Sequence, residues 1–110
     1  MSRSAVAVDV ALALKAGTDR AAPGGEVTVA LCGHWEHEGA CRWPHNSAID
    51  TSTKPARLRT IVVTAGEDRR EVLDRIETGL RRDGRWRVLS LVVRPVAGDE
   101  LVLAERLAHL

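Results

Sequence analysis

Residues 32–45 read Cys-Gly-His-Trp-Glu-His-Glu-Gly-Ala-Cys-Arg-Trp-Pro-His. The chain holds six cysteines and histidines in all. Five of them, Cys32, His34, His37, Cys41 and His45, fall within these fourteen positions, and only His109 lies elsewhere. Thiolate sulfur and imidazole nitrogen are the donors that zinc prefers, and a structural zinc site takes four of them tetrahedrally. Residues two apart on a strand share a face, so Cys32 and His34 can grip one ion, and a turn after them can return Cys41 and His45 to complete a Cys2His2 set. His37 is a spare ligand or replaces one of these. Glu36 and Glu38 can orient a ligating imidazole through its second nitrogen. Gly33 and Gly39 let the backbone fold tightly around an ion. The expectation is one zinc ion, chiefly structural, that clamps the segment.

The spacing is not that of a zinc finger, whose ligand pairs stand a dozen or so residues apart. Cys32-Gly33-His34 resembles the first ligand pair of the Rieske iron–sulfur proteins, and that resemblance implies a [2Fe–2S] centre. The second Rieske pair is Cys-x-x-His. Here Cys41 and His45 have three residues between them, and only six separate His34 from Cys41. Zinc is therefore expected over an iron–sulfur cluster.

Two further chemistries use the same residues. A thiolate beside an imidazolium is a nucleophile of lowered pKa, so Cys32 or Cys41 next to His34, His37 or His45 would suit a small enzyme. Zinc with an open position would activate water, but the H-E-x-x-H order is absent. The plain alternative makes Cys32 a small buried hydrophobe and Trp35 and Trp43 plugs against the fold.

The elements that must position this segment follow from periodicity. Val6, Val8, Val10, Leu12 and Leu14 alternate with smaller or polar residues, which predicts a strand. Residues 15–25 carry turn formers. Val27, Val29, Leu31 and Trp35 alternate again and predict a second strand, followed by an aperiodic excursion of about twenty residues over 36–57. Residues 58–65 predict a third strand. A helix follows, with Thr64 or Asp68 as cap, Val72, Leu73, Ile76 and Leu80 on its inner face, and Gly84 at its end. Glu71–Arg75 and Glu77–Arg81 sit at ion-pair spacing on its outer face. Residues 85–94 are apolar on both parities at their centre, which places that strand mid-sheet. Residues 100–107 predict a last strand, with a short helix as the alternative. The third strand, the helix and the fourth strand should form a right-handed βαβ unit with parallel strands. The fold expected is a single two-layer α+β domain over 1–110: one helix on a mixed four- to five-stranded sheet, in the order β-β-(long loop)-β-α-β-β, with a Cys/His-rich loop at about 32–57.

Composition bounds the partners. With 110 residues, 45% hydrophobic, 28% charged and a net charge of +1, the chain reads as an ordinary folded domain rather than a disordered tail or a basic nucleic-acid binder. It has no Phe or Tyr and three Trp, which disfavours an aromatic platform for bases. No apolar run is long enough for a membrane span. Fourteen arginines against two lysines suggest a GC-rich, bacterial source. Arg81, Arg82, Arg85 and Arg87 crowd the expected helix end, where cations suit the helix dipole; an anion patch is the alternative. No signal peptide is evident, so the cytoplasm is the expected address, with reduced cysteines and a Cys32–Cys41 disulfide as the lesser alternative. Three functions fit: a small zinc-binding domain with the loop as contact surface for a protein or ligand, a small enzyme in the same loop, or a metal-free homodimer through an uncovered sheet edge or face.

Overall fold

The structure is a computed structural model and describes residues 3–33 and 42–109. Its elements are β1 (Arg3–Leu14), α1 (Ala22–Cys32), β2 (His45–Asp50), β3 (Ala56–Ala65), a 3-10 turn (Gly66–Asp68), α2 (Arg69–Arg82), β4 (Trp86–Pro95) and α3 (Glu100–Ala108). The sheet runs β2-β3-β1-β4 and every pair is antiparallel. This is the β-α-β-β-α-β, split-βαβ arrangement with one helix added at the end. The α+β class stands, with three helices on four strands rather than one helix on four or five.

The alternation in β1 does what the pattern predicts. Val6, Val8, Val10 and Leu12 point into the main core with Leu58 and Val62 of β3, and Val27, Leu31, Val72, Ile76 and Leu80 of α1 and α2 close over them. Ala5, Ala7, Asp9, Ala11 and Ala13 face the other side. There α3 forms a smaller core, in which Ala104 and Leu107 meet Ile61 and Val63, with Ala5, Val96 and Leu103 packed around them.

Four expectations need correction. Residues 26–32 belong to α1, not to a strand. Pro23 in the first turn and Gly33 at φ 85°, a left-handed C-cap, punctuate a helix, and Val27 and Leu31 are as much i,i+4 as period two. The excursion over 36–57 contains strand β2, which pairs with β3 from His45↔Val62 to Asp50↔Arg57. Its apolar face is supplied by Ile49 alone, too little to register as a pattern. Residues 100–107 are α3, in which Glu100, Ala104 and Leu107 are buried at helical spacing. Finally, β4 lies at the sheet edge, and β1 stands between β3 and β4. The two ends of the βαβ unit are thus parallel but not neighbours. The apolar centre of β4 reflects one face on the core and another that stays exposed.

Helix α2 carries the ion pairs expected on its outer face, Arg75 Nη2 to Glu71 Oε2 at 2.9 Å and Arg81 Nε to Glu77 Oε2 at 3.0 Å. Its end differs from expectation: Asp83, not Gly84, is the C-cap.

Candidate functional site

Of the five expected zinc ligands, His34, His37 and Cys41 lie outside the described residues, as do Glu36, Glu38 and Trp35. The two that are described do other work. Cys32 is disulfide-bonded at the end of α1 and packs half-buried against the main core. A disulfide sulfur is neither a thiolate ligand nor a nucleophile. His45 starts β2 with both ring nitrogens engaged. Nδ1 lies 3.0 Å from the Trp43 carbonyl, to which it donates, and Nε2 lies 3.2 Å from the Thr28 hydroxyl of α1. The imidazole ties α1 to β2, and both of its ring nitrogens have protein partners. Among the described residues, no three His, Cys, Asp or Glu side chains are placed to hold a metal. The zinc-domain reading is corrected on these grounds. The cysteine-nucleophile alternative loses Cys32 as well, and the Rieske-like pair loses its sulfur. The disulfide corrects the expectation that Cys32 is reduced. No described helix is long and apolar enough to cross a membrane.

Trp43 seals the core where this segment rejoins the sheet. It is 3% exposed, with Arg42 at 4.7 Å and Arg75 at 5.0 Å from its ring centroid. Its Nε1 donates to Asp68 Oδ2 at 3.3 Å, and Arg42 donates to the same oxygen at 3.2 Å. Asp68 is the N-cap of α2 by position, yet its side chain makes no cap hydrogen bond, because Trp43 and Arg42 occupy it. The plug role expected for this tryptophan is the one it has.

Two of the four arginines at the end of α2 are paired. Arg81 pairs with Glu77, and Arg85 pairs with Asp83 at 2.6 Å and approaches Glu26 at 3.7 Å while lying over Trp86. Hydrogen bonding by Arg85 holds the Asp83 carboxyl below the usual carboxylate range. Trp86 donates from Nε1 to the Leu80 carbonyl at 2.9 Å and caps the helix from inside.

The polar cluster that periodicity did not reveal lies on the α3 side of the sheet. Arg94 of β4 sends Nη1 and Nη2 to the two oxygens of Glu100, each at 2.7 Å, and its Nε to Asp9 of β1. The Ala97 amide donates to Glu100 Oε1 at 3.0 Å, and Arg59 Nη1 of β3 stands 3.4 Å from Oε2. Glu100 is 7% exposed. The Arg94 fork chiefly, then the Ala97 amide and the charges of Arg94 and Arg59, hold its carboxyl down to about 2 against the opposing effect of burial. The same hydrogen bonds raise the Arg94 pKa further above its ordinary value. This network fastens the first turn of α3 across β4, β1 and β3. Every carboxylate oxygen in it has a cation or amide, so it lacks the idle base that acid–base catalysis requires. The signal available in sequence was a lone acid, Asp9, among the small residues of β1. Its partner, 85 positions away, carried no local mark.

Beyond this network the sheet face is open. Leu89 and Val92 of β4 are 47% and 54% exposed, and Leu101 and Val102 of α3 are 56% and 59% exposed. No family model matches this chain, and a search of curated proteins found no significant match.

Proposed function

We propose that the chain is a non-catalytic binding module that pairs with a second copy of itself through the side of the sheet that carries α3. The observation that supports this reading is the grouping of exposed apolar side chains. Leu89, Val92, Leu101 and Val102 are the four large hydrophobics exposed among the described residues, two on the edge strand β4 and two on α3, and Val92 shares the α3 face with Asp9 by register. Isolated exposed apolar residues are ordinary, but a grouped patch favours an interface.

A second copy suits the patch better than an unlike partner. Glu105 and Arg106 are adjacent and exposed on α3, so each copy offers one acid and one base to exchange across a two-fold axis. A net charge of +1 puts little repulsion between copies. Pairing by the β4 edge is disfavoured. The register with β1 shifts between Ala11 and Leu12, a bulge that sets Leu89 out of the ladder, and Pro95 closes the strand. Bulges and prolines blunt a sheet edge against strand addition. The face is left as the contact.

Sedimentation equilibrium on the full chain tests this. The wild type should sediment at twice the mass of one chain, and Leu101→Asp with Val102→Asp should sediment as a monomer with unchanged circular dichroism. A wild type that stays monomeric up to roughly millimolar concentration, the weak limit of specific association, ends the reading.

A further inference from the structure

The half of the sheet face that α3 leaves open ends in a hollow ringed by cations. A nine-residue helix is about 14 Å long, whereas the twelve residues of β1 span about 40 Å. Helix α3 therefore covers only the end near Ala5, Ile61 and Val63. At the opposite end, Ala11 and Ala13 put only methyl groups on the face, and the bulge at Leu89 loosens the β1–β4 seam. Three adjoining hollows result. One of about 340 Å³ is floored by Ala13, Leu14, Pro55 and Leu89 and edged by Lys54. A second, of about 460 Å³, shares Ala13 and Leu14 and is edged by Lys15 and Arg87. A third, of about 330 Å³, continues along Ala11 and Ser90 and is edged by Arg57 and Arg59.

Lys15, Lys54, Arg57 and Arg87 are all exposed, and none of their side chains has a hydrogen bond or ion pair among the described residues. They contrast with Arg59 and Arg94, whose charges are spent on Glu100 and Asp9. Arg59 also keeps a buried Nε with no hydrogen-bond partner, so its donors are incompletely met in this conformation. Two carboxylates also border these hollows, Asp9, which is held by Arg94, and Asp50, which stands opposite Arg57 in the β2–β3 register, so the rim keeps an excess of cations over its apolar floor and fits one ligand chemistry. A neutral apolar molecule would leave the cations without an anion, and a bare inorganic anion would leave the floor wet. Among the described residues, nucleic-acid bases would find no exposed aromatic ring to stack on, because Trp86, which borders the second hollow, is 5% exposed and Trp43 is 3% exposed in the main core.

We infer that this end of the sheet binds a small amphiphilic carboxylate, its hydrocarbon lying over Ala13 and Leu89 and its head group between Lys54 and Arg57. The hollow is formed within one chain but shares Leu89 and Val92 with the self-association patch, so the titration is run on both the wild type and the Leu101→Asp, Val102→Asp variant.

Amide chemical shifts of the full chain, titrated with dodecanoate below its micellar range, test the site. Dodecan-1-ol and inorganic phosphate serve as paired probes. Dodecanoate should cause saturable shifts centred on Ala11, Ala13 and Leu89. Dodecan-1-ol should bind about tenfold more weakly, the scale of one charge-assisted contact, and phosphate should not saturate. Lys54→Gln with Arg57→Gln should weaken dodecanoate about tenfold and leave dodecan-1-ol unchanged. Leu89→Glu, which puts an anion on the floor, should abolish dodecanoate binding while Leu101→Asp with Val102→Asp leaves it intact. Equal binding of acid and alcohol, a double glutamine variant that binds dodecanoate like wild type, or shifts that never saturate would each overturn the assignment.

Discussion

Glu100 shows how one side chain can hold an element in place. Its carboxylate is buried, and both oxygens are taken by the Arg94 fork and the Ala97 amide. Removing the charge leaves Arg94 with one partner and Arg59 with none, so Glu100→Gln should lower stability by about 2 kcal/mol, measured by urea denaturation. The pH dependence follows from the direction of its shift. The carboxyl ionises near 2 in the folded chain and near 4.5 when unfolded. Its contribution is therefore complete above about pH 4.5 and is lost as pH falls toward 2. The gap between wild type and Glu100→Gln should close over that window; a gap constant down to pH 2 would contradict the network. Cys32 supports a second test at this scale. Because its sulfur is in a disulfide, iodoacetamide should modify it only after reduction. Modification of Cys32 in the unreduced native protein would reopen the thiolate chemistry that the sequence suggested.

At the scale of elements, the two helices of the main layer meet through small residues. Gly79 of α2 sits where an added Cβ would come within 3.0 Å of the Ala30 Cβ and 3.6 Å of the Glu26 carbonyl of α1. Gly79→Leu should separate the helices and cost roughly 1–3 kcal/mol, the range for overpacking a filled contact; a thermal melt reads it. Gly33 ends α1 in the left-handed region and its amide donates to the Val29 carbonyl at 2.7 Å. Among the described residues nothing lies within 4 Å of a Cβ added at Gly33, so Gly33→Ala tests the backbone conformation and should cost about 1 kcal/mol. Both glycines were visible in sequence, but their roles differ. Gly33 read as slack around an ion because the strand assignment for 26–35 hid the helix it caps. Helix α2 was legible throughout its inner face because Val72, Ile76 and Leu80 repeat at one spacing over two turns. Strand β2, with Ile49 as its only apolar contact on the core, had no repeat to read.

For the whole molecule, the unequal cover of the two sheet faces governs what the protein can bind. Helices α1 and α2 seal one face, while α3 seals part of the other and leaves an apolar patch and a cation-rimmed hollow. Both proposed activities therefore belong to one side, and Val102→Asp should reduce self-association while the melting temperature stays within a few degrees of wild type, as for a surface substitution. A large loss of stability would instead mark Val102 as part of the core. By itself the sequence determined the α+β class, the inward row of β1, and the inner face and ion pairs of α2, because each rests on neighbours a few residues apart; the plug at Trp43 was one of the alternatives it left open. Tertiary structure alone decided that β1 stands between β3 and β4, that 26–32 and 100–107 are helices, and that His45 is spent on Thr28 and Trp43. Those outcomes depend on partners many positions away, whose burial and hydrogen bonds outweigh a local pattern that two periods fit equally well.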